Sequence, residues 1–357
     1  MQQVHVRKNQ LTEAAVVTVE PSPLPDGAVR LSIESFSVTA NNVTYAVIGD
    51  MFGYWNFFPA PGELGIVPMW GHATVVESNC PDIAVGERVY GYLPMADMLD
   101  VVPGNISKSG FVDTAAHRQP MSPIYNQYSR LAADPEHDPA REGERMIYGP
   151  LFKTGFLIEY FMRREAWFGA GQLVLTSASS KTAMGLAAVA KQNSPQVKRI
   201  GLTSAGNVAF VEGTGLYDAV LAYGDIGSLE VVPTVSVDFA GSAGILAGLH
   251  NHFADALKYS CMVGVTHVGE RGGMEDPGLP GAKPTLFFAP DHAQAMFKEL
   301  GPQAAGAAIG GSWGQFLGAV EGAITIERRK GLAAAREAFL ATLSGEVDPS
   351  VGIVIEP

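Results

Sequence analysis

The sequence predicts an α/β protein with two domains, the first mainly β and the second built on a doubly wound parallel sheet. Two observations support this expectation. At 357 residues the chain exceeds the size at which a single hydrophobic core usually stops growing. After Pro150, short apolar segments alternate with helical segments, which is the pattern of parallel βαβ units.

The first part of the chain has the pattern of a mainly β domain. Apolar and polar residues alternate from residue 29 to residue 38, as in a strand with one buried face. Two further strands are expected at residues 70–77 and 87–92 because turn residues such as Pro81 separate them. Residues 103–149 are polar and interrupted by prolines. We interpret them as a long loop, of the kind that often forms a functional lid.

The second part of the chain is predicted to hold five parallel strands with intervening helices. These strands are expected at residues 172–176, 199–203, 219–223, 234–239 and 261–267. A short strand at residues 285–289, helices at 291–300 and 330–343, and a last strand at 352–355 complete the prediction. Five parallel strands favour a doubly wound sheet.

Charge and cysteine content exclude several classes of protein. Lys plus Arg number 24 against 36 for Asp plus Glu, and the net charge of −12 disfavours nucleic acid and anionic membranes as partners. No apolar stretch is long enough to span a bilayer, and the N-terminus lacks the layout of a secretory signal. Cys80 and Cys261 are too few for a disulfide framework. We therefore expect a reducing, cytoplasmic setting.

The segment that follows the strand at residue 172 has the context of a dinucleotide-binding turn. A buried strand, a turn of small residues and a helix follow one another here. Serine hydroxyls stand in place of the usual glycines and can bind phosphate oxygens, while the helix N-terminus attracts phosphate. Ordinary packing is the alternative explanation of a glycine-free turn. The residues expected to contact the nucleotide are Ser177, Ser179, Ser180, Lys181 and Thr182.

The same turn also matches the end of a triphosphate-binding P-loop. Ser180, Lys181 and Thr182 correspond to the last residues of that motif. Its first glycine is missing, because Leu175 occupies that place inside the strand. A loop this short cannot wrap a triphosphate, which disfavours an NTPase. Lys181 is then either a phosphate contact or a solvated helix residue.

The end of the second parallel strand indicates which dinucleotide is bound. An NAD site usually carries an acid about twenty residues after the turn, which binds the ribose hydroxyls. Thr203 and Ser204 stand there instead, and Lys198 and Arg199 add positive charge nearby. Hydroxyl donors suit a 2′-phosphate, so NADP is favoured over NAD. A plain loop is the alternative.

A Gly-x-Ser-x-Gly match near the C-terminus raises the possibility of a serine hydrolase. The match centres on Ser312 and resembles the nucleophile elbow. In that fold the catalytic histidine follows the serine, and here the last histidine is His292. We therefore interpret the motif as a glycine-rich turn with a packed tryptophan.

Several segments share their pattern with one known superfamily. Asn41 to Tyr45 are similar to an Asn-rich segment that lines a nicotinamide pocket, and Trp70 to Ala73 to a Gly-His-Glu segment. Val85 to Val89 resemble a "vGdrV" turn, and the nucleotide half aligns in order through Tyr217. On these motifs the chain resembles the medium-chain dehydrogenase/reductase superfamily, as a divergent branch of its zinc-free quinone and enoyl reductases.

The resemblance implies a domain organisation and excludes catalytic zinc. Residues 1–128 and 296–357 would form a GroES-like substrate and catalytic domain, and residues 129–295 a Rossmann dinucleotide-binding domain. The zinc enzymes of this fold use a thiolate near Asn41 and a His-Glu pair, but no sulfur occurs here and Ala73 replaces the glutamate. His72 is then expected to be a hydrogen-bonded structural residue. A homodimer is a further implication.

The resemblance also implies an activity and its residues. We expect an NADPH-dependent reductase that transfers hydride to an activated alkene or a quinone with a small hydrophobic or aromatic skeleton. A protein that kept the fold and the nucleotide but lost the chemistry is the alternative. The expected catalytic residues are Tyr54, Tyr45 and Asn41, with Tyr217 as a further cofactor contact. The expected substrate pocket consists of Phe52, Trp55, Phe58, Tyr125 and Tyr128.

Overall fold

The computed structural model describes residues 1–119, 121–263 and 278–357. It contains two compact units. The first comprises Met1–Ile147 and Ile326–Pro357, and the second Tyr148–Thr325. Compact units need not coincide with functional domains, so the expected domain limits after residues 128 and 295 stay a prediction.

The described residues form strands and helices throughout both units. In chain order the strands are β1 (Gln2–Arg7), β2 (Gln10–Thr18), β3 (Val29–Val38), β4 (Leu64–Gly65), β5 (Pro68–Ser78), β6 (Arg88–Pro94), β7 (Met98–Val101), β8 (Pro103–Gly104), β9 (Gly110–Asp113), β10 (Gln127–Arg130), β11 (Gln172–Leu175), β12 (Lys198–Thr203), β13 (Ala219–Ala222), β14 (Thr234–Asp238), β15 (Leu257–Met262), β16 (Pro284–Leu286), β17 (Thr325–Lys330) and β18 (Val351–Glu356). The α-helices are α1 (Ala40–Val47), α2 (Glu142–Arg164), α3 (Lys181–Asn193), α4 (Val208–Gly213), α5 (Ala243–Phe253), α6 (Ala289–Leu300), α7 (Pro302–Ala319) and α8 (Gly331–Leu343). Short 3₁₀ turns include Tyr54–Asn56, Ala116–Arg118, Pro123–Asn126, Ala166–Gly169, Ala205–Asn207 and Tyr223–Ser228.

Two sheets make up the first unit. The larger sheet has the order β17-β18-β3-β5-β6-β10-β9-β8, and β7 also pairs with β3. Its pairs from β18 to β8 are antiparallel. The smaller sheet, β2-β1-β4, is antiparallel as well. Alternating apolar residues of β3 and β5 line the core, and α8 packs against β1, β2 and β18.

The second unit is organised around one parallel sheet. Its strand order is β13-β12-β11-β14-β15-β16, and every pair is parallel. Counted along the chain this is the order 3-2-1-4-5-6, which is the doubly wound arrangement that binds dinucleotides. The order reverses between β11 and β14, so the carboxyl ends of these two strands mark the expected ligand site.

The segment predicted as a long loop, residues 103–149, is partly incorporated in a sheet, so that interpretation is wrong. β8, β9 and β10 lie within it, and β10 pairs with β6 and with β9. The segment's last residues form the start of α2 rather than loop. Short strands interrupted by prolines gave too little alternation to be recognised. The predicted strand at residues 261–267 is observed as β15 at Leu257–Met262, and the end of the prediction lies outside the described residues.

The Gly-x-Ser-x-Gly match lies within α7, so the predicted glycine-rich turn is wrong. Ser312 is in the middle of this helix and not on the sharp strand-to-helix turn that a nucleophile elbow requires. The expected packing of the tryptophan is confirmed. Trp313 contacts the rings of Phe152 and Phe316, with centroids 5.2 and 5.8 Å away.

Trp55 packs in a slot between two glycines of the first unit. Its indole is 3% exposed. A Cβ added at Gly49 would lie 2.2 Å from the indole nitrogen, and one added at Gly65 would lie 2.3 Å from the ring. The absence of side chains at these two positions therefore fixes the position of the indole.

We predict that Gly65→Ala lowers the free energy of unfolding by about 1–3 kcal/mol, because the new methyl group overpacks the slot. Denaturant unfolding measures the change. Gly171→Ala, where a Cβ meets nothing within 4 Å, is the matched control and should change stability by less than about 0.5 kcal/mol. Equal effects of the two substitutions would contradict the packing argument.

Candidate functional site

The turn after β11 lies at the carboxyl end of the parallel sheet, beside the point where the strand order reverses. Thr176 is buried and its hydroxyl donates to the Asp238 carboxylate at 2.6 Å. The same hydroxyl accepts the backbone N–H groups of Phe239 and Ala240. The loops that follow β11 and β14 are therefore joined to each other at the position where a doubly wound sheet binds its ligand.

Two tyrosine hydroxyls hold the central peptide groups of this turn. Ser177 has a positive φ of 48°, a conformation that L residues other than glycine rarely adopt. Its N–H donates to the Tyr223 hydroxyl at 2.9 Å, and the Tyr217 hydroxyl donates to the Ala178 carbonyl at 2.8 Å. These phenols stabilise a turn that lacks glycines. Tyr217 thus lies at the predicted nucleotide site, but its hydroxyl is engaged with the backbone.

The N-terminus of α3 offers donors to an anion. Ser180 is the N-cap, and its hydroxyl accepts the N–H of Ala183. The first N–H groups of a helix lack intrahelical acceptors, and the helix dipole is positive there. Lys181 and Thr182 are the first two residues of this helix and are half-buried. The predicted phosphate contacts therefore lie together around one helix N-terminus.

The end of β12 adds a second group of polar residues next to the turn. The Ser179 hydroxyl accepts weak hydrogen bonds from Thr203, at 3.5 Å, and from the Asn207 amide, at 3.4 Å. Thr203 is 1% exposed, whereas Ser204 is exposed. No carboxylate appears among these residues, which is the arrangement expected where a 2′-phosphate replaces a ribose hydroxyl.

In the first unit, the predicted catalytic residues lie in one aromatic cluster. Asn41 and Tyr45 are four residues apart on α1, and the Asn41 amide donates to the Tyr45 hydroxyl at 2.7 Å. The Trp70 indole N–H donates to the same hydroxyl at 3.2 Å. The rings of Tyr45 and Tyr54 are 4.6 Å apart. Burial raises the pKa of Tyr45, so this phenol stays protonated at neutral pH.

Tyr54 and Tyr125 form a phenol pair. Their hydroxyls lie 3.0 Å apart and share a hydrogen bond, and their rings meet edge to face at 5.6 Å. Tyr54 is 5% exposed. Burial raises the pKa of both phenols, since the phenolate loses its hydration. Each phenol therefore carries a proton across the physiological range and can donate it only to a strong acceptor.

The remaining predicted pocket residues lie around this cluster. Phe52 is half-buried, Phe58 is 4% exposed, and Trp55 fills its glycine slot. Tyr128 is 1% exposed and its hydroxyl donates to the Tyr92 carbonyl at 2.7 Å. Tyr125 is thus the predicted pocket residue whose hydroxyl meets a predicted catalytic group, whereas the side chains of Trp55, Phe58 and Tyr128 are buried in the core of this unit.

His72 is buried, but the expected hydrogen bonds are missing. Neither ring nitrogen has a partner among the described residues. Burial lowers the pKa of His72 to about 4, and the nearby cations Arg145 and Arg88 oppose the effect of the Glu142 and Glu34 carboxylates. The structural role is therefore one of packing rather than hydrogen bonding. Among the described residues, no group of three or more His, Cys, Asp or Glu side chains is arranged to hold a metal ion.

Both cysteines of the chain are buried thiols. Cys80 is 8% exposed, and Cys261, on β15, is fully buried. Burial and the nearby Asp238 raise the pKa of Cys261. Neither thiol belongs to the aromatic cluster or to the nucleotide turn. Within the described part of the chain, no helix has both the length and the hydropathy needed to cross a membrane.

Sequence reasoning missed several residues that the structure brings to these sites. They are Trp70 and Arg118 near the aromatic cluster, and Thr176, Asn207 and Tyr223 at the nucleotide turn. Asn207 follows Ser204 closely, so the end of β12 could have suggested it. Tyr223 carries no local signal, because its contact with Ser177 spans 46 positions of the chain. Arg118 bonds to residues five to ten positions away, but no motif marks it.

A family model described as "Protein of unknown function (DUF2855)" matches residues 36–348. The chain belongs to this family. The matched range includes the aromatic cluster and the nucleotide turn of this DUF2855 protein. A search of curated protein sequences found no match.

Solved structures confirm the expected fold. CurA from Vibrio vulnificus is 13% identical, with a TM-score of 0.63 over 99% of this chain and 98% of CurA. A putative NADPH:quinone reductase from Mesorhizobium loti is 15% identical, with a TM-score of 0.60 over 100% and 98% of the two chains. The yhdH oxidoreductase from Salmonella enterica, in complex with NADP, is 14% identical, with a TM-score of 0.54 over 100% of both. The DUF2855 chain therefore has the fold predicted from its resemblance to quinone and enoyl reductases.

We predict that stability falls as pH falls from about 6.5 to about 4, and that His72 causes part of this loss. Its pKa of about 4 in the folded protein is below its ordinary value of 6.5, so the unfolded chain binds more protons in this window. The contribution of His72 reaches about 3 kcal/mol at pH 4. Denaturant unfolding at each pH should show a flatter profile for His72→Leu.

The same variant tests the unpartnered nitrogens at pH 7. Because His72→Leu removes two buried polar atoms without partners, it should be as stable as the wild type or more stable. His117→Leu is the control, since His117 is exposed and its loss should leave the profile unchanged. An identical pH profile for the wild type and His72→Leu would contradict the prediction.

Proposed function

We propose that this DUF2855 protein is an NADPH-dependent reductase that transfers hydride to an activated alkene or a quinone without zinc. The observation that carries the proposal is the hydroxyl-bearing turn at the order reversal of the second unit's sheet. Doubly wound sheets bind dinucleotides at this point. The phenol pair of the first unit supplies the proton donor that such a reduction needs.

The residues at the turn fit a dinucleotide phosphate. The N-terminus of α3 provides N–H donors, and Ser179 and Thr182 provide hydroxyls beside it. At the end of β12, Ser204 and Asn207 offer uncharged donors where an NAD site would present an acid. We therefore assign the 2′-phosphate of NADPH to Ser204 and Asn207, with Thr203 behind them. A structure of CurA contains NADPH and the yhdH structure contains NADP, which supports this choice.

The chemistry requires a donor for the oxygen of the acceptor. NADPH supplies a hydride, and negative charge then develops on the carbonyl oxygen of the enone or quinone. A phenol with a raised pKa remains protonated until this charge appears, and it then becomes a proton donor. We assign that proton to Tyr54. Tyr125 shares the Tyr54 hydrogen bond and keeps its hydroxyl in place.

Tyr45 is the second proposed hydrogen-bond donor to the substrate, and Asn41 orients its hydroxyl. The Asn41 amide and the Trp70 indole both donate to the Tyr45 oxygen, so the Tyr45 proton is directed elsewhere. Within the protein the Tyr45 hydroxyl also meets those of Tyr92 and Tyr125, and we propose that a bound substrate oxygen takes their place. Phe52 and Tyr125 would form the aromatic wall against a flat substrate, while Trp55, Phe58 and Tyr128 belong to the buried core of the same unit.

The residues of the first unit suit a reductase without zinc. The segment around Asn41 has no thiolate, and Ala73 follows His72 where the zinc enzymes have a glutamate. Activity should therefore survive dialysis against a chelator.

A nucleotide-binding protein without catalytic activity is the second candidate. The observation that favours it is the tyrosine-held turn, because the Ser177 N–H and the Ala178 carbonyl are already engaged within the chain. Titration with NADPH, followed by its oxidation with a panel of quinones and enones, separates the two candidates. Binding without accelerated oxidation by any acceptor would favour the silent protein. Absence of binding would exclude both.

We predict that Ser204→Ala and Asn207→Ala each weaken NADPH binding about tenfold and leave NADH binding nearly unchanged. Each variant loses one hydrogen bond to a charged phosphate, worth about 1.5 kcal/mol. Thr203→Ala should act in the same direction. Calorimetric titration measures both nucleotides. Thr214→Ala is the control, because Thr214 precedes β13 and so lies towards the amino ends of the strands, away from the turn. Equal losses for NADPH and NADH would remove the assignment of the 2′-phosphate.

We predict that Tyr54→Phe lowers kcat about a hundredfold and leaves the Kd of NADPH unchanged, because it removes a general acid without touching the nucleotide turn. Steady-state kinetics with the best quinone or enone measures the effect. Tyr90→Phe is the matched control, since its ring packs on Trp70 but lies outside the phenol pair. Unchanged kcat in Tyr54→Phe would show that another group supplies the proton.

A further inference from the structure

Arg118 is the most completely buried cation of the described structure, and it does not belong to any predicted site. Its side chain is 1% exposed and lies in the 3₁₀ turn Ala116–Arg118 of the first unit. Burying a guanidinium group is costly unless its N–H groups are paired. The identity of its partners therefore indicates what the residue does.

Each partner belongs to the segment between β9 and β10 or to β9 and β10 themselves. The Arg118 guanidinium forms an ion pair with Asp113 at 2.9 Å. It donates to the Asn126 side chain at 3.0 Å and to the Tyr128 hydroxyl at 2.9 Å. It also donates to the Tyr125 backbone carbonyl at 2.7 Å. The last bond fixes the main chain of Tyr125, and the hydroxyl of this residue is hydrogen-bonded to the Tyr54 hydroxyl.

The guanidinium also contacts the segment that carries Tyr54. Its central carbon lies 5.4 Å from the centre of the Phe57 ring and 5.2 Å from that of Phe58, which are cation–π distances. Phe57 follows the 3₁₀ turn of Tyr54, and its ring stacks on the Tyr54 ring at 6.1 Å. Arg118 therefore contacts both segments whose phenols form the pair.

We infer that Arg118 is a positioning residue that holds the Tyr54 and Tyr125 hydroxyls in register for proton donation. This inference rests on the proposed function for its catalytic meaning, whereas the geometry of the phenol pair is independent of that function. A planar fork with several fixed donors can bind the Tyr125 carbonyl, Asn126 and Asp113 at once. A lysine ammonium would keep the positive charge beside Asp113, but it could not donate hydrogen bonds to all of these acceptors at once.

Two variants separate positioning from stability. Arg118→Lys keeps the ion pair with Asp113 and loses the fork. The double variant Asp113→Asn, Arg118→Met removes both charges, and exchanging a buried ion pair for uncharged groups is often tolerated. Arg130→Met is the matched control, because Arg130 also lies in this segment and pairs with Glu87, but at 22% exposure.

The readout that does not depend on activity is fluorine NMR of the full chain labelled with fluorotyrosine. Tyr125→Phe assigns the Tyr125 resonance, and Tyr54→Phe shows where it moves when its hydrogen-bond partner is lost. We expect Arg118→Lys and the double variant to move the resonance towards its position in Tyr54→Phe, and Arg130→Met to leave it unchanged. A folded double variant with the wild-type resonance would overturn the inference.

Kinetics then tests the catalytic meaning of this geometry. We expect Arg118→Lys to fold with lowered stability, because buried acceptors lose their donors, and the folded variant to lose about a hundredfold in kcat with the Kd of NADPH unchanged. Wild-type kcat in the folded lysine variant would mark a purely structural residue and would also overturn the inference. If the wild type reduces no acceptor but the Tyr125 resonance moves as expected, the proposed function fails and the positioning of the phenol pair stands.

Discussion

The parallel register of β11 between β12 and β14 is the constraint on which the proposed nucleotide site depends. Because all three strands end at one edge, the turn after β11 meets the end of β12 on one side and Asp238 on the other. A parallel sheet buried on both faces tolerates little slippage. The polar groups assigned to the cofactor are therefore positioned by the pairing of these three buried strands.

The sequence predicted those elements whose periodicity is strong. Strand β3 was expected at its observed limits, and the strands of the parallel sheet were found within a few residues, because buried strands are continuous apolar runs. The sequence wrongly indicates a long loop at residues 103–149, because β8, β9 and β10 are too short for alternation to be visible. The five glycines of α7 indicate a turn, but the segment is a helix because the buried side chains of Ile309 and Phe316 pack against the unit.

Contacts between distant side chains could not be predicted in the same way. Tyr54 and Tyr125 were proposed separately, as a proton donor and as part of a wall, and nothing in the sequence places their hydroxyls 3.0 Å apart. A buried histidine such as His72 is expected to be hydrogen-bonded, but neither of its nitrogens has a partner in the part of the chain that the structure describes. Tyr54 and Tyr125 are 71 positions apart in the sequence, so their contact depends on tertiary packing that a local sequence pattern does not encode.

The burial of both thiols has a consequence for the proposed reductase, whose acceptors would be electrophiles. Thiolates add readily to enones and quinones, so a protein that binds such substrates risks alkylation of its cysteines. Here Cys261 is inaccessible and its raised pKa keeps it protonated, while Cys80 is 8% exposed. The chain therefore presents almost no sulfur nucleophile to its surroundings, which would let it turn over reactive acceptors without covalent self-inactivation.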